Sequence, residues 1–534
     1  MGNPAFVVFS NQTFRRLWLA ALASNFGGLI QVVGASWHMT TLSASESMVA
    51  LVQTSITLPI MLFSLAAGVL ADGGDRRRII LTAQLFMLVV AVALAVLAGY
   101  GLLTPWLLLT LSFLIGCGTA LHNPSWQASV GDIVSRENVP YAVSLNAMGF
   151  NMVRGVGPAV GGFVVALGGA AAAFALNAVS YIAIIWAIWR WRPARTAAAL
   201  SREPFAPAFV AGLRYVAMSP RLQRVIGRAM VFGFAAIAVQ ALLPVVVKER
   251  LELGAVSYGV LLGCFGFGAV TGAFVSPGLR ARYRNERIVT ICFAVVGCGT
   301  AVVAVSTIFI VSAVALIVSG CFWLIAMSLS NATVQMSTPR WVLGRTLALY
   351  QTGAFGGMAV GGWVWGVIAE VYIVQEALIG AAAVLAFGAL VGRFAPFPDF
   401  DGLDLDPLDQ FREPSLRLDL TRRSGPIKIG IEYEIAEDDV GQFMTLMAER
   451  RRVRIRDGAR RWSLNRDLEN PALWTEEYHV ATWTEYLRHH ARRTMEDGSV
   501  NDRLKRLHKG DLPLRVRRSL EQSRSPAGRR AHLP

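Results

Sequence analysis

At 534 residues with 54% hydrophobic side chains, 14 tryptophans and a mean hydropathy of +0.48, the chain is too apolar for an ordinary soluble protein. Its net charge of +15 sits mainly before Pro396, where 24 Lys+Arg face 11 Asp+Glu, whereas the last 138 residues hold 26 and 24. This distribution argues against nucleic-acid binding: the positive charge orients membrane helices and meets anionic lipid, and a separate water-facing domain closes the chain.

The first apolar run follows Arg15 and Arg16 and reaches Met39 without a small-residue cleavage site, so it reads as a retained helix rather than a removed leader. A window of about 19 residues places twelve spans, at 17–40, 48–71, 79–101, 105–127, 139–166, 170–190, 222–247, 256–277, 288–307, 309–332, 342–369 and 373–393. Each is compatible with the roughly 20 apolar residues that cross a hydrocarbon core. Between the second and third runs, Gly68-Val69-Leu70-Ala71-Asp72-Gly73-Gly74-Asp75-Arg76-Arg77-Arg78-Ile79-Ile80-Leu81 inserts five ionised groups. Even-to-odd connections carry Arg76 to Arg78, Arg136, the arginines between 190 and 228 and between 280 and 287, and Arg340 with Arg345. The opposite side carries only Lys248 and Arg250. Short basic loops stay inside, which puts both termini in the cytoplasm of a multi-pass protein of a bacterial inner membrane.

The longest internal connection, with Pro193, Pro204, Pro207 and five arginines, divides the chain into two six-helix halves, 1–190 and 222–394, about a central loop 191–221. Gly155-Val156-Gly157-Pro158-Ala159-Val160-Gly161-Gly162 has a counterpart 200 residues later in Gly356-Gly357-Met358-Ala359-Val360-Gly361-Gly362. The fifth and eleventh runs are therefore repeat mates, with Gly157, Pro158, Gly161, Gly162, Gly357 and Gly361 assigned to helix packing. Gly272, Ser276 and Arg280 echo Gly68, Asp72 and Arg76 at an offset of 204, without the acid. Paired six-helix repeats are a transporter architecture, with a small-molecule site expected near the midplane.

The Gly68–Leu81 stretch resembles the loop signature of the major facilitator superfamily, with Asp75 where many members carry a second glycine. Arg154 with Gly157-Pro158 and Gly161-Gly162, Phe14-Arg15-Arg16-Leu17-Trp18, Asn146 and Phe174 to Tyr181 are similar to a subgroup of enterobactin exporters and macrolide-efflux-like drug:proton antiporters. The resemblance covers roughly residues 10–395. It implies that Asp72 latches the two halves against the start of the eleventh run near Gly344, and that Arg76 and Arg77 pair with Asp132 or Glu137. Gly68 belongs to the same gating loop. It also implies export of small amphipathic molecules, drugs or siderophores, by alternating access with proton coupling; the alternatives are import on the same scaffold, or a transporter body fused to a catalytic or ligand-sensing tail domain.

Inside the membrane, Arg154 lies in mid-run with no carboxylate nearby in sequence, so it must face a cavity or a partner. Ser24, Gln31 and His38 share one helical face by their spacing of seven, a face expected to line the path. His122, Asn151, Gln240, Trp323, Tyr350 and Gln351 are further polar or aromatic candidates for the substrate or proton path. No run has an Asp or Glu well inside it, so no intramembrane carboxylate relay is visible. The absence of Gly-x-x-x-x-Gly-Lys-[Ser/Thr] argues against direct ATP drive.

After a linker, 395–425, the segment 426–520 reads strand-helix-strand-strand-helix-strand: Ile427–Ile435, 437–454, Arg461–Leu468, Trp474–Thr482, Trp483–Glu496 and Leu512–Val516. A basic tail, 521–534, follows. The fold class is thus an all-α membrane protein plus a small α+β ferredoxin-like cytoplasmic domain. That domain resembles antibiotic-biosynthesis monooxygenases, which implies a homodimer through paired sheets. His479, His489 and His490 read as surface side chains and Arg450 to Arg456 as a solvated helix face. No catalytic residue, cofactor, metal or nucleic-acid partner is expected, and the protein is not expected to be an enzyme.

Overall fold

The computed structural model describes residues 8–43, 45–73, 75–134, 138–192, 205–339, 341–399, 404–405, 408, 416–510 and 514–521. Glu137, Arg340, the stretch 193–204, most of the linker and the basic tail beyond 521 lie outside them, as do the side chains of Asp72 and Asn151. The membrane helices are α1 (Gln12–Leu42), α2 (Glu46–Gly73), α3 (Arg76–Gly99), α4 (Pro105–Ile133) and α5 (Val139–Arg190). A shorter helix, α6 (Phe205–Ala217), precedes α7 (Pro220–Val245), α8 (Ala255–Arg282), α9 (Asn285–Val305), α10 (Phe309–Met336), α11 (Leu343–Val371) and α12 (Val374–Val391). Polar caps start several of them: Asn11 accepts from the amides of Thr13 and Phe14, and Thr104 precedes Pro105 at the first turn of α4.

Eleven of these described helices are long and apolar enough to cross a membrane, where twelve runs were expected. The difference lies in α5, whose 52 residues join the fifth and sixth runs across a single non-helical residue, Gly169 (φ 68, ψ −173). Unbroken, that helix would extend about 78 Å, far beyond a hydrocarbon core of about 30 Å. Glycine alone adopts such a backbone without strain. Both arms of α5 then pack along α1: Gly157 and Gly161 against Leu29, Ile30 and Val33, and Ala173, Asn177 and Ser180 against Gly34 and Gly27. Gly169 is therefore the turn of a helical hairpin, and α5 makes two passages.

Two pairs of helices carry the closest glycine contacts between the halves among the described residues. On one seam, Gly162 of α5 packs on Gly259 of α8, a Cβ on Gly162 falling 2.8 Å from the Gly259 Cα. On the other, a Cβ on Gly362 of α11 would meet Thr54 Oγ1 of α2 at 2.7 Å, and Thr54 donates to Ala359 O at 2.9 Å. Within its own half, α11 packs Gly357 and Gly361 on the carbonyls of Met230 and Phe234 in α7, as α5 packs Gly157 and Gly161 on α1. Glycines at these positions let backbones approach to van der Waals distance, the device that drives association where lipid offers no hydrophobic gain. The 200-residue repeat seen in the sequence is a structural repeat, with equivalent glycines serving equivalent contacts.

The C-terminal domain contains β1 (Ile427–Glu434), α13 (Val440–Asp457), β2 (Arg460–Arg466), β3 (Leu473–Val480), α14 (Trp483–Ala491), α15 (Met495–Leu507) and β4 (Arg515–Leu520). Its sheet runs β2-β3-β1-β4 with every neighbour antiparallel, the order of a ferredoxin-like fold. Ile427, Ile429, Ile431 and Tyr433 alternate into its core. Where one helix was expected after β3 there are two, because Thr494 and Asp497 form a capping box that starts α15 afresh. This compact unit also includes two segments from between membrane helices, Ala206–Pro220 with α6 and Met336–Thr346. Within it Tyr215 meets Trp341 edge-on at 5.7 Å, Arg456 lies 5.2 Å over Tyr215, and Arg492 lies 4.6 Å over Trp341.

Candidate functional site

At the start of α3, Asp75 accepts from the Arg78 amide at 3.2 Å, so the residue departing from the family signature serves as the helix cap. Arg76 Nη1 reaches Asp132 Oδ2 at 2.9 Å with both groups 30% exposed, one of the pairings expected from sequence, the other candidate acid, Glu137, lying outside the described residues. Such an exposed pair contributes about 0.2–1 kcal/mol, too little to hold the fold. Arg77 differs from expectation: it donates to the carbonyls of Ile188 and Trp189 at 3.1 and 2.5 Å, capping the C-terminal end of α5 instead of meeting a carboxylate. A cation there satisfies orphan carbonyls and the negative end of the helix dipole. Arg77→Ala is expected to speed amide exchange over residues 188–191 several-fold, matching about 0.3–1 kcal/mol. Unchanged exchange by mass spectrometry would remove that role. Gly68 faces Ala348 of α11, its Cβ position 4.0 Å away.

Arg154 lies about four turns into α5, where its guanidinium sits 4.5 Å over the Trp323 ring of α10 and 5.7 Å over Phe150. Arg154 and Trp323 belong to opposite halves. No carboxylate among the described residues pairs with Arg154, and Trp323 Nε1 is buried without a hydrogen-bond partner. Tyr350 donates to Met327 O at 3.2 Å, Gln240 keeps its amide nitrogen buried without a partner among the described residues, and Gln351 is half-buried.

Two other candidates point into their own half. Gln31, 5% exposed, accepts from Asn177 of α5, and Ser24 is buried on the same face. The seven-residue spacing correctly put them on one face, but that face packs against the second arm of α5 rather than lining a path. His122 Nδ1 lies 3.2 Å from Gln84 of α3 and its ring stacks on Trp126 at 6.0 Å, a helix-bundle contact. His38 faces Thr41 Oγ1 at 3.2 Å. Near it, the ends of α1, α8 and α11 and the α1–α2 and α7–α8 connections bring the halves together: Lys248 donates to Thr40 O, Ser45 donates to Glu370 at 3.0 Å, and Trp37 stacks on Tyr258 at 6.0 Å.

The C-terminal domain places chemistry that the linear pattern concealed. Glu476 on β3, fully buried, accepts from Arg450 at 2.7 Å, Arg454 at 3.2 Å, Tyr433 at 3.0 Å and Trp462 at 3.1 Å. Burial alone would raise its pKa, but the two guanidiniums outweigh it and hold the carboxyl down at about 2. Arg450 and Arg454 are 8% and 4% exposed, so they are core cations and not a solvated face. Likewise His489 is 1% exposed and contacts Arg454, correcting its assignment to the surface. The one local signal was the i, i+4 spacing of Arg450 and Arg454. Their partner lies over twenty residues away, beyond any local pattern. Among the described residues no three His, Cys, Asp or Glu side chains converge as a metal set.

A profile of the family described as transmembrane secretion effector matches residues 3–526. The staphyloferrin A transporter of Staphylococcus aureus is 26% identical over 29% of the chain and 39% of its own length. Macrolide efflux protein A of Streptococcus pyogenes is 25% identical over 33% and 42%. Thus the chain spans about two fifths of these relatives. The enterobactin exporter EntS of Escherichia coli O1:K1 is 26% identical over 61% of the chain and 77% of its own length. Among solved structures, a bacterial homologue of the human lysosomal transporter Spinster, inward-facing and occupied, superposes with a TM-score of 0.57 at 14% identity, covering 72% of the chain and 97% of that structure. At that identity the likeness concerns the fold.

Proposed function

Because the chain belongs to the transmembrane secretion effector family of major facilitator transporters, we propose that it exports small amphipathic molecules, of siderophore or drug type, by alternating access driven by a proton gradient. The observation that carries this reading is Arg154 against Trp323, a guanidinium without a carboxylate lodged on an aromatic face of the opposite half. A cation beside aromatic walls suits a cargo with a flat apolar body and a polar or anionic group. Contact between the halves through this pair would also be remade whenever they rock, so cargo and conformation share one element. The repeated glycine seams give the two halves smooth surfaces on which to tilt. In this reading Asp72 latches the basic-loop side, both termini are cytoplasmic by loop charge, and the C-terminal sheets pair in a homodimer.

The test is accumulation of fluorescent lipophilic dyes and catecholate siderophores in a transporter-depleted bacterial host. Wild type should lower accumulation, an uncoupler should erase the difference, and Asp72→Asn should abolish it at matched expression. Arg154→Gln should weaken export of anionic cargo roughly tenfold, the scale of a desolvated cation–π contact. If Asp72→Asn exports at wild-type rates the latch is wrong, and an effect insensitive to the uncoupler overturns gradient drive.

A further inference from the structure

The C-terminal domain encloses a cleft of about 600 Å³ between its sheet and the helices that cover it. Its floor is apolar and aromatic, with Ile429, Ile431 and Tyr433 of β1 and Tyr478 of β3. Its walls are cationic: Arg450 and Arg454 from α13, Arg493 from the break between α14 and α15, Lys505 from α15 and Arg518 from β4. Among the described residues carboxylates do not balance them one for one, although the buried Asp457 charge acts on Arg493. Glu476 serves Arg450 and Arg454 together, and Asp502 lies 3.4 Å from Lys505. Among the described residues Arg518 donates only to the neutral Tyr486 hydroxyl, at 2.6 Å, and Arg493 has no ion-pair partner. The surplus is felt by its neighbours. Burial and then the Arg454 charge push Arg493 down to about 10, while burial and then Arg493, Arg454 and Arg518 push His490 down to about 2.

A cavity of this size, mostly apolar with a few convergent polar groups, has the character of a small-molecule site. Cations left unneutralised around an aromatic floor select a ligand that brings the missing negative charge on a flat body. We propose that this cleft binds a small aromatic carboxylate, its ring against Tyr433 and Tyr478 and its carboxylate toward Arg493 and Arg518. Nothing in this site depends on the transport reading, since every residue that forms it belongs to the C-terminal domain.

The experiment is isothermal titration of the purified full-length protein with 1-naphthoate and with uncharged 1-naphthalenemethanol. The acid should bind at least about tenfold more tightly than the alcohol. Arg493→Gln and Arg518→Gln should each weaken the acid about tenfold and leave the alcohol unchanged. Arg503→Gln, on the far side of α15 beside Glu449, and Arg154→Gln in the membrane should leave both unaffected. Arg518 is at the exposed rim, so its variant decides the matter if Arg493→Gln perturbs the domain, which amide exchange of β1 would reveal. Equal affinity for acid and alcohol, no binding of either, or loss of acid binding only in Arg154→Gln overturns the proposal.

Discussion

Replacing Glu476 by glutamine is expected to unfold the C-terminal domain under conditions where the wild-type domain is intact. The carboxylate is fully buried and takes hydrogen bonds from two guanidiniums, an indole and a phenol. Glutamine keeps the shape but removes the charge and turns half of the acceptor into a donor, leaving Arg450 and Arg454 buried without a counter-charge. Breaking a buried pair from one side costs about 3–5 kcal/mol, a large part of the roughly 5–15 kcal/mol that holds a domain together. Amide exchange in β1 and β3 should rise accordingly, with membrane helices such as α9 and α12 unchanged. The effect has a pH signature. Folding lowers this carboxyl from 4.5 to about 2, so its contribution is whole above pH 4.5 and is lost as pH falls from there towards 2. The gap between wild type and variant should narrow over that window, and a gap that is the same at pH 3 and pH 7 would mean the charge is irrelevant.

The second large effect concerns the α5–α8 seam. A Cβ on Gly259 would lie 2.6 Å from Pro158 O and 2.7 Å from the Gly162 Cα. Those are backbone atoms in another helix, which cannot swing aside as a side chain can. Gly259→Val is therefore expected to force the two halves apart and, if the chain exports as proposed, bring dye accumulation to the level of cells without the protein, even where the variant reaches the membrane. Gly227→Ala in α7 is the matched control, because nothing lies within 4 Å of its Cβ position. Alanine in a helix interior is favoured over glycine by about 0.5–1 kcal/mol, so this variant should transport normally. Normal transport by Gly259→Val would mean that the seam opens in the working states or is not close-packed.

Much of the membrane architecture was legible because each span leaves a direct trace in hydropathy, and because the glycines of α5 and α11 repeat at a fixed offset. Asp132 was also readable as one of two acids, with Glu137, that could pair with Arg76 and Arg77, through the family loop signature. What failed was direction and distance. Gln31 and Ser24 share a face, but spacing does not say whether that face meets a path or Asn177 in the next helix. Arg77 pairs with backbone carbonyls, which every residue carries and no sequence marks. Arg450, Arg454 and Glu476 form one buried cluster whose members come from α13 and β3, so the arginines read as a solvated face and nothing local marked Glu476 as their partner.

The compact unit at the C-terminal end is stitched from three stretches of chain, two of them lying between membrane helices. It is woven into the transporter's connections and not appended to its end. A protease nick in the stretch 400–415 would cut the backbone yet leave the excised piece held by Tyr215 and Trp341 through Arg456 and Arg492. A gene fragment starting at residue 416 would produce those arginines without their aromatic platforms. For anyone truncating, tagging or transplanting this domain, the seemingly natural cut site is the wrong one, and α6 must travel with it.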